Sequence, residues 1–373
     1  MNAMKFVDEF RDPALATSLL ARIQSVMQTL PYNAQKPLQL MEVCGGHTHA
    51  IFKFGLDQIL PDSIEFVHGP GCPVCVLPMA RIDACIDIAE RDNVIFCTFG
   101  DAMRVPGRRG ALRDAKTRGA DIRIVYSPLD ALAIARDNPH KHVVFFALGF
   151  ETTMPSTALT VQQARREGLS NFSIFCQHIT IIPTLRTLLQ QPDVRIDGFL
   201  APGHVSMVIG AEPYRFICDE FAKPLVITGF EPLDILQSIL MLVEQVAEGV
   251  VRVDNQYRRI VPDAGNNLAL GAMDDVFILR PSSEWRGLGE IEHSGVMLSD
   301  AYAEFDAERI FQPQVGAAAD DPRARCGDVL TGRCKPADCP LFGTGCNPQN
   351  AFGALMVSSE GACAAYYQYR RQA

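Results

Sequence analysis

Four groups of residues in this 373-residue chain have the types and spacing to do chemistry. In CGGHTH, residues 44–49, Cys44, His47 and His49 suit a metal site or an activated nucleophile, or they merely close a strand. The two histidines stand two apart, so they diverge on a helix and share a face on a strand. In GPGCPVC, Cys72 and Cys75 form a Cys-x-x-Cys pair at the expected start of a helix, whose dipole lowers a thiol pKa. That spacing allows a reducible disulfide, and half of a zinc site or an idle pair are its other readings. Asp101, Glu151, His204 and Glu231 follow apolar runs at Gly- or Pro-containing turns, where they either reach a ligand or cap the next helix. The tail carries Cys326, Cys334, Cys339, Cys346 and Cys363, loosely spaced among Pro and Gly, with no tight Cys-x-x-Cys knuckle. Such spacing suits a cubane [4Fe–4S] cluster held by irregular loops, against zinc or free thiols.

Short β-branched runs must position these groups. They occur at residues 38–43, 63–67, 93–99, 122–126, 142–148, 172–176, 198–201 and 224–228, most of them followed by a helical pattern. Buried strands alternating with amphipathic helices predict parallel sheets of the α/β class. Ligands of such sheets bind beyond the carboxyl ends of the strands, where Cys44, Cys72, Asp101, Glu151, His204 and Glu231 all fall. Similar turns recur in both halves, and we expect two similar Rossmann-like domains, residues 37–130 and 131–250, with a crevice between them. Residues 1–36 and 251–373 are expected to form a third domain that needs a cofactor to hold its cysteine-rich tail.

Composition narrows the function. The net charge of −9 has no basic stripe interleaved with aromatics, which argues against nucleic-acid binding. The first twenty residues mix acids and bases without the apolar stretch of a secretory signal, and no apolar run is long enough to span a bilayer. A cytoplasmic location is expected, where twelve cysteines read as thiols and metal ligands rather than as a disulfide framework. No Walker-type phosphate loop is present.

CGGHTH (44–49), GPGCPVCVLP (69–78), FGDAMRVPG (99–107), GFETT (149–153), PGHVS (202–206), GFEP (229–232), DCPLFG and MVSSEGAC together resemble the hydrogenase maturation factor HypD family, over residues from about 40 to the C-terminus. The resemblance implies two α/β domains and a third with a [4Fe–4S] cluster. It also implies a scaffold, shared with the small partner HypC, on which the iron of [NiFe]-hydrogenase receives cyanide, delivered from HypE, and carbon monoxide. By the same resemblance Cys44 binds that iron, Cys72 and Cys75 are a redox pair, and tail cysteines hold the cluster. The family pattern often has a cysteine before MVSSEG where this chain has Leu355, which leaves Cys326, Cys339, Cys346 and Cys363 as the ligand set and Cys334 in reserve. His47 is expected to donate a hydrogen bond to the Cys44 sulfur or to bound cyanide, and His49 to fix the turn. A freestanding iron–sulfur disulfide reductase and a zinc hydrolase built on Cys44, His47 and the cysteine pair are the competing functions.

Overall fold

The computed structural model describes residues 8–314 and 321–370. Residues 1–7, 315–320 and 371–373, which the expected third domain included, lie outside the described residues.

Each of the eight apolar runs forms a strand: β1 Leu38–Glu42, β2 Ile64–His68, β3 Val94–Thr98, β4 Ile122–Ile124, β5 His142–Gly149, β6 Phe172–His178, β7 Gly198–Pro202 and β8 Leu225–Thr228. A ninth, β9 Val253–Asn255, follows a long helix, Pro232–Glu248. These nine make two parallel sheets, in the orders β2-β1-β7-β8-β9 and β4-β3-β5-β6. The α/β class is therefore as the sequence implies, with both sheets Rossmann-like.

The expected boundary near residue 130 does not follow the pairing. β1 and β2 join β7, β8 and β9 from the far half of the chain, while the contiguous segment from β3 to β6 makes the other sheet. The chain thus enters the first sheet, leaves it to build the second, and returns. Strand runs alone cannot reveal this, because a buried parallel strand carries no mark of which neighbour it pairs with.

The expected third domain is likewise distributed. The Pro13–Met27 helix starts on an Asp12 N-cap and packs on the Pro232–Glu248 helix beside the first sheet. The Asn267–Val276 helix packs on the Met154–Glu167 helix beside the second sheet. Two antiparallel pairs follow: β10 Phe277–Leu279 with β13 Val296–Leu298, and the hairpin of β11 Ser282–Trp285 with β12 Gly289–Glu292. The tail ends in the Ala362–Arg370 helix, which lies against the Gly45–Lys53 helix. Buried Phe96, Phe145, Phe146, Phe172 and Phe175 fill the second sheet's two faces, and Leu38, Leu40, Phe199, Leu200 and Val226 fill those of the first. Among the described residues no helix is long and apolar enough to cross a membrane.

Candidate functional site

Cys44 lies two residues past the end of β1 and is the N-cap of the Gly45–Lys53 helix. Burial pushes its thiol up to about 12, with Glu360 and Glu42 adding to the rise, while the backbone N–H groups of Gly46 and His47 act in the opposite sense. The thiol therefore keeps its proton near neutral pH.

The loop after β2 lies directly on this turn. Gly71 packs so closely on the Val43–Cys44 backbone that a side chain there would overlap it, and Gly45 N–H donates to Gly71 O at 3.2 Å. Two buried cysteines follow, Cys72 and Cys75, joined as a disulfide with Cα atoms 5.2 Å apart. The next helix begins only at Met79, behind a Pro78 N-cap, so the expected helix start at the cysteine pair is corrected: the pair sits in a turn, with Cys75 N–H donating to Cys72 O, and no helix of its own segment starts on it. Pro73 and Pro78 flank the turn and favour an extended entry over an earlier helix. The hairpin holds the loop from the far side through Arg286 N–H to Val76 O, 2.7 Å.

The tail closes over the bridge. A Cβ placed on Gly361 would be 3.0 Å from Cys75 Sγ, and Glu360 lies against Gly45. Two residues beyond Gly361, Cys363 joins Cys326, Cys339 and Cys346 around an apolar cavity completed by Val329, Leu341, Leu355 and Met356. Cys334 is not in that wall and lines a separate groove beside β2. The Cys363 thiol is raised well above its usual value, first by burial and then by Cys326, Cys346 and Cys339, with Cys334 the weakest contributor. Four thiols gathered on one small cavity, three of them opposing the ionisation of Cys363, fit a positively charged core. Gly353 leaves room for it, since a Cβ there would overlap Cys326 Sγ. Among the described residues no group of three or more His, Cys, Asp or Glu is set to hold a single metal ion, and a cubane spreads its thiolates more widely than one ion does.

A family model named HypD, described as the hydrogenase formation hypA family, matches residues 14–370. Hydrogenase maturation factor HypD of Escherichia coli is 64% identical over 369 residues, covering 99% of both chains. Its namesake from Rhodobacter capsulatus is 59% identical over 370 residues, with 98% of each chain covered, and that from Cupriavidus necator 47% over 376 residues, covering 99% of this chain and 98% of its own. The chain belongs to the HypD family.

The remaining HypD-type motifs differ in what they do. His47 is fully buried and stacks on Phe230, ring centroids 4.6 Å apart, and His204 stacks on Phe230 at 3.8 Å. His47 Nε2 meets two acceptors, Thr228 O at 3.2 Å and Gly229 O at 3.0 Å, so it carries the proton; burial lowers the ring's pKa and keeps it neutral. Its buried Nδ1 has no hydrogen-bond partner among the described residues. The expected donation from His47 to sulfur or cyanide is therefore corrected: its one N–H is spent on carbonyls, and Nδ1 offers a lone pair. His49 turns away on the same helix, edge-on to Tyr369 at 5.8 Å. Asp101 accepts a hydrogen bond from Ser358 in the tail at 2.9 Å. Glu231 stands at the N-cap position of its helix, and its carboxylate pairs with Arg11 at 2.6 and 2.9 Å.

Glu151 is buried after β5, with Oε1 accepting from Ile181 N–H at 3.0 Å and Oε2 without a partner among the described residues; burial raises its carboxyl to about 7. Tyr214, which the sequence reading missed, is buried beside it: both Glu151 and Cys44 push its hydroxyl upward, after burial, so the three share one electrostatic neighbourhood. Glu42 was also missed. It is a fully buried acid in an apolar strand, and a charge in LQLMEV was the available signal.

Proposed function

We propose that this hydrogenase maturation factor is the scaffold on which an iron ion receives its cyanide and carbon monoxide ligands. Cys44 supplies one thiolate, HypC is the small partner supplying another, and HypE is the source of cyanide. What supports the reading is one juxtaposition: the Cys72–Cys75 bridge lies between the Cys44 turn, reached through Gly71, and the tail, where Gly361 precedes Cys363 of the four-cysteine cavity. Leu355 and Ala362 stand between bridge and cavity, and Leu355 lines both.

Cys326, Cys339, Cys346 and Cys363 would hold a [4Fe–4S] cluster, which supplies one-electron transfer when bound. Opening the bridge would consume two protons and two electrons, passed one at a time through the cluster from an external electron donor, and leave Cys72 and Cys75 as thiols; closing it returns them. The surroundings exclude bulk water, since the two cysteines are 5% and 2% exposed. Cys44 ionises as the iron cargo arrives, its proton leaving and its sulfur gaining the N–H groups of Gly46 and His47 as support. A soft thiolate suits low-spin iron with strong-field ligands.

The test is the infrared spectrum of the chain isolated with its small partner. Wild type should show bands of iron-bound cyanide and carbon monoxide, and Cys44→Ala should lose them while keeping the brown chromophore of the cluster. A full set of bands in Cys44→Ala would place the iron elsewhere.

A further inference from the structure

Behind Cys44 is a buried charge that the proposed scaffold role leaves unused. Glu42 ends β1 with none of its surface exposed. Its Oε2 accepts the Cys44 N–H at 3.0 Å. Its Oε1 accepts the Thr48 hydroxyl and the His68 Nδ1–H, the latter at 2.7 Å. Thr48 comes from the helix that Cys44 caps, and His68 ends β2, the neighbouring strand. One carboxylate thus ties the cysteine's backbone to its own helix and to the adjacent strand. His68 is 11% exposed and lines the groove beside β2, so the far end of the chain of bonds reaches the surface.

Holding the Cys44 N–H does not by itself require a charge, although the three donors together suit a carboxylate. A hydroxyl or amide caps a helix or ends a strand without the penalty of several kcal/mol for taking a carboxylate out of water. What the charge adds is a fixed negative potential under the sulfur, in a dry place where it is poorly screened. Such a potential favours a cation arriving at the thiol and opposes an anion. The hydrogen bonds meanwhile fix the Cys44 backbone, at φ −149° and ψ 124°, and so the sulfur's place over the helix N-terminus.

We infer that Glu42, held by His68 and Thr48, is a positioning residue that fixes Cys44 and makes its sulfur selective for cationic reactants. The inference rests on the reading of Cys44 as the site of a metal cargo, but its test does not. The full-length chain is treated with two methanethiosulfonates of similar size, one ending in trimethylammonium and one in sulfonate, and modification of the Cys44 peptide is followed by mass spectrometry. The ratio of the two rates cancels the fraction of thiolate and reports the local potential. Wild type should prefer the cationic reagent, and Glu42→Gln, which keeps an acceptor for the Cys44 N–H, should lower the preference by about threefold to tenfold. His68→Gln retains a donor to Glu42 and should leave the preference above that of Glu42→Gln. An unchanged ratio in Glu42→Gln that melts like wild type overturns the inference. If Glu42→Gln does not fold, Thr48→Val, which removes a donor to Glu42, carries the test: wild type without preference for the cation, or a Thr48→Val that shifts neither the rates nor the preference, overturns it equally. A lowered ratio together with intact cyanide bands in Cys44→Ala would retain the clamp and dismiss Cys44 as the ligand of the iron cargo.

Discussion

At the scale of single residues, the site depends on groups whose protons are governed by burial. Glu151 shows this most directly. Its carboxyl is raised from 4.5 to about 7 by burial, with one oxygen unpartnered. Between those values the folded chain binds more protons than the unfolded one, so stability falls as pH rises through that window and levels off above it. The cost at pH 8 is about 3 kcal/mol. Glu151→Gln, which preserves an acceptor for Ile181 N–H, should melt higher than wild type at pH 8 and close to it at pH 4.5; equal melting differences at both values would show that the carboxyl is not the cause. The motif GFETT marked Glu151 in the sequence, as spacing marked Cys44, Cys72 and Cys75. Tyr214 and Glu42 were not visible in that way, because a tyrosine among apolar residues and an acid inside a strand acquire their meaning only from what the fold puts beside them.

At the scale of elements, the cysteine-rich tail is the least regular part of the chain and the one most tied to the rest. Ser358 bonds Asp101 after β3, Gly361 touches the bridge, and Arg370 pairs with Asp57 at 2.8 Å. The family resemblance left four cysteines as the ligand set with Cys334 in reserve, and the structure gathers the same four around the cavity. Serine at any of Cys326, Cys339, Cys346 or Cys363 should bleach most of the brown absorbance of anaerobically purified protein, because one lost thiolate weakens the remaining bonds. Cys334→Ser should keep it, and bleaching there with retention at one of the other four would reassign the ligands. The strands were legible because eight apolar runs are bounded by turns. β9 was not: VDN is three residues long and only half buried, too short for any periodicity to register.

At the scale of the whole molecule, what the sequence concealed was the order of pairing. Two similar halves were expected, and two similar sheets exist, but one is nested within the other along the chain. Both bring strand ends to one place: β1, β2, β7 and β8 deliver Cys44, the disulfide loop, His204 and Phe230, and β3 and β5 deliver Asp101 and Glu151. Nesting also joins the two units by two chain crossings, between β2 and β3 and between β6 and β7.

That nesting imposes a timetable on the newborn chain. β1 and β2 leave the ribosome first, yet the partner of β1 on its other side, β7, starts at Gly198, about 130 residues after His68. At about 5–20 residues per second, the two strands wait for roughly six to twenty-six seconds. In the interval every strand of the second sheet is made and can pair with its neighbours. Chains arrested on the ribosome with residues through 195 exposed should therefore resist protease over residues 94–178 while remaining cleavable between 38 and 68; protection of both segments at that length would mean that β1 and β2 fold without β7. The CGGHTH turn, first to be made among the motifs of the site, is on this account among the last to be built in, after the sheet that faces it is already standing.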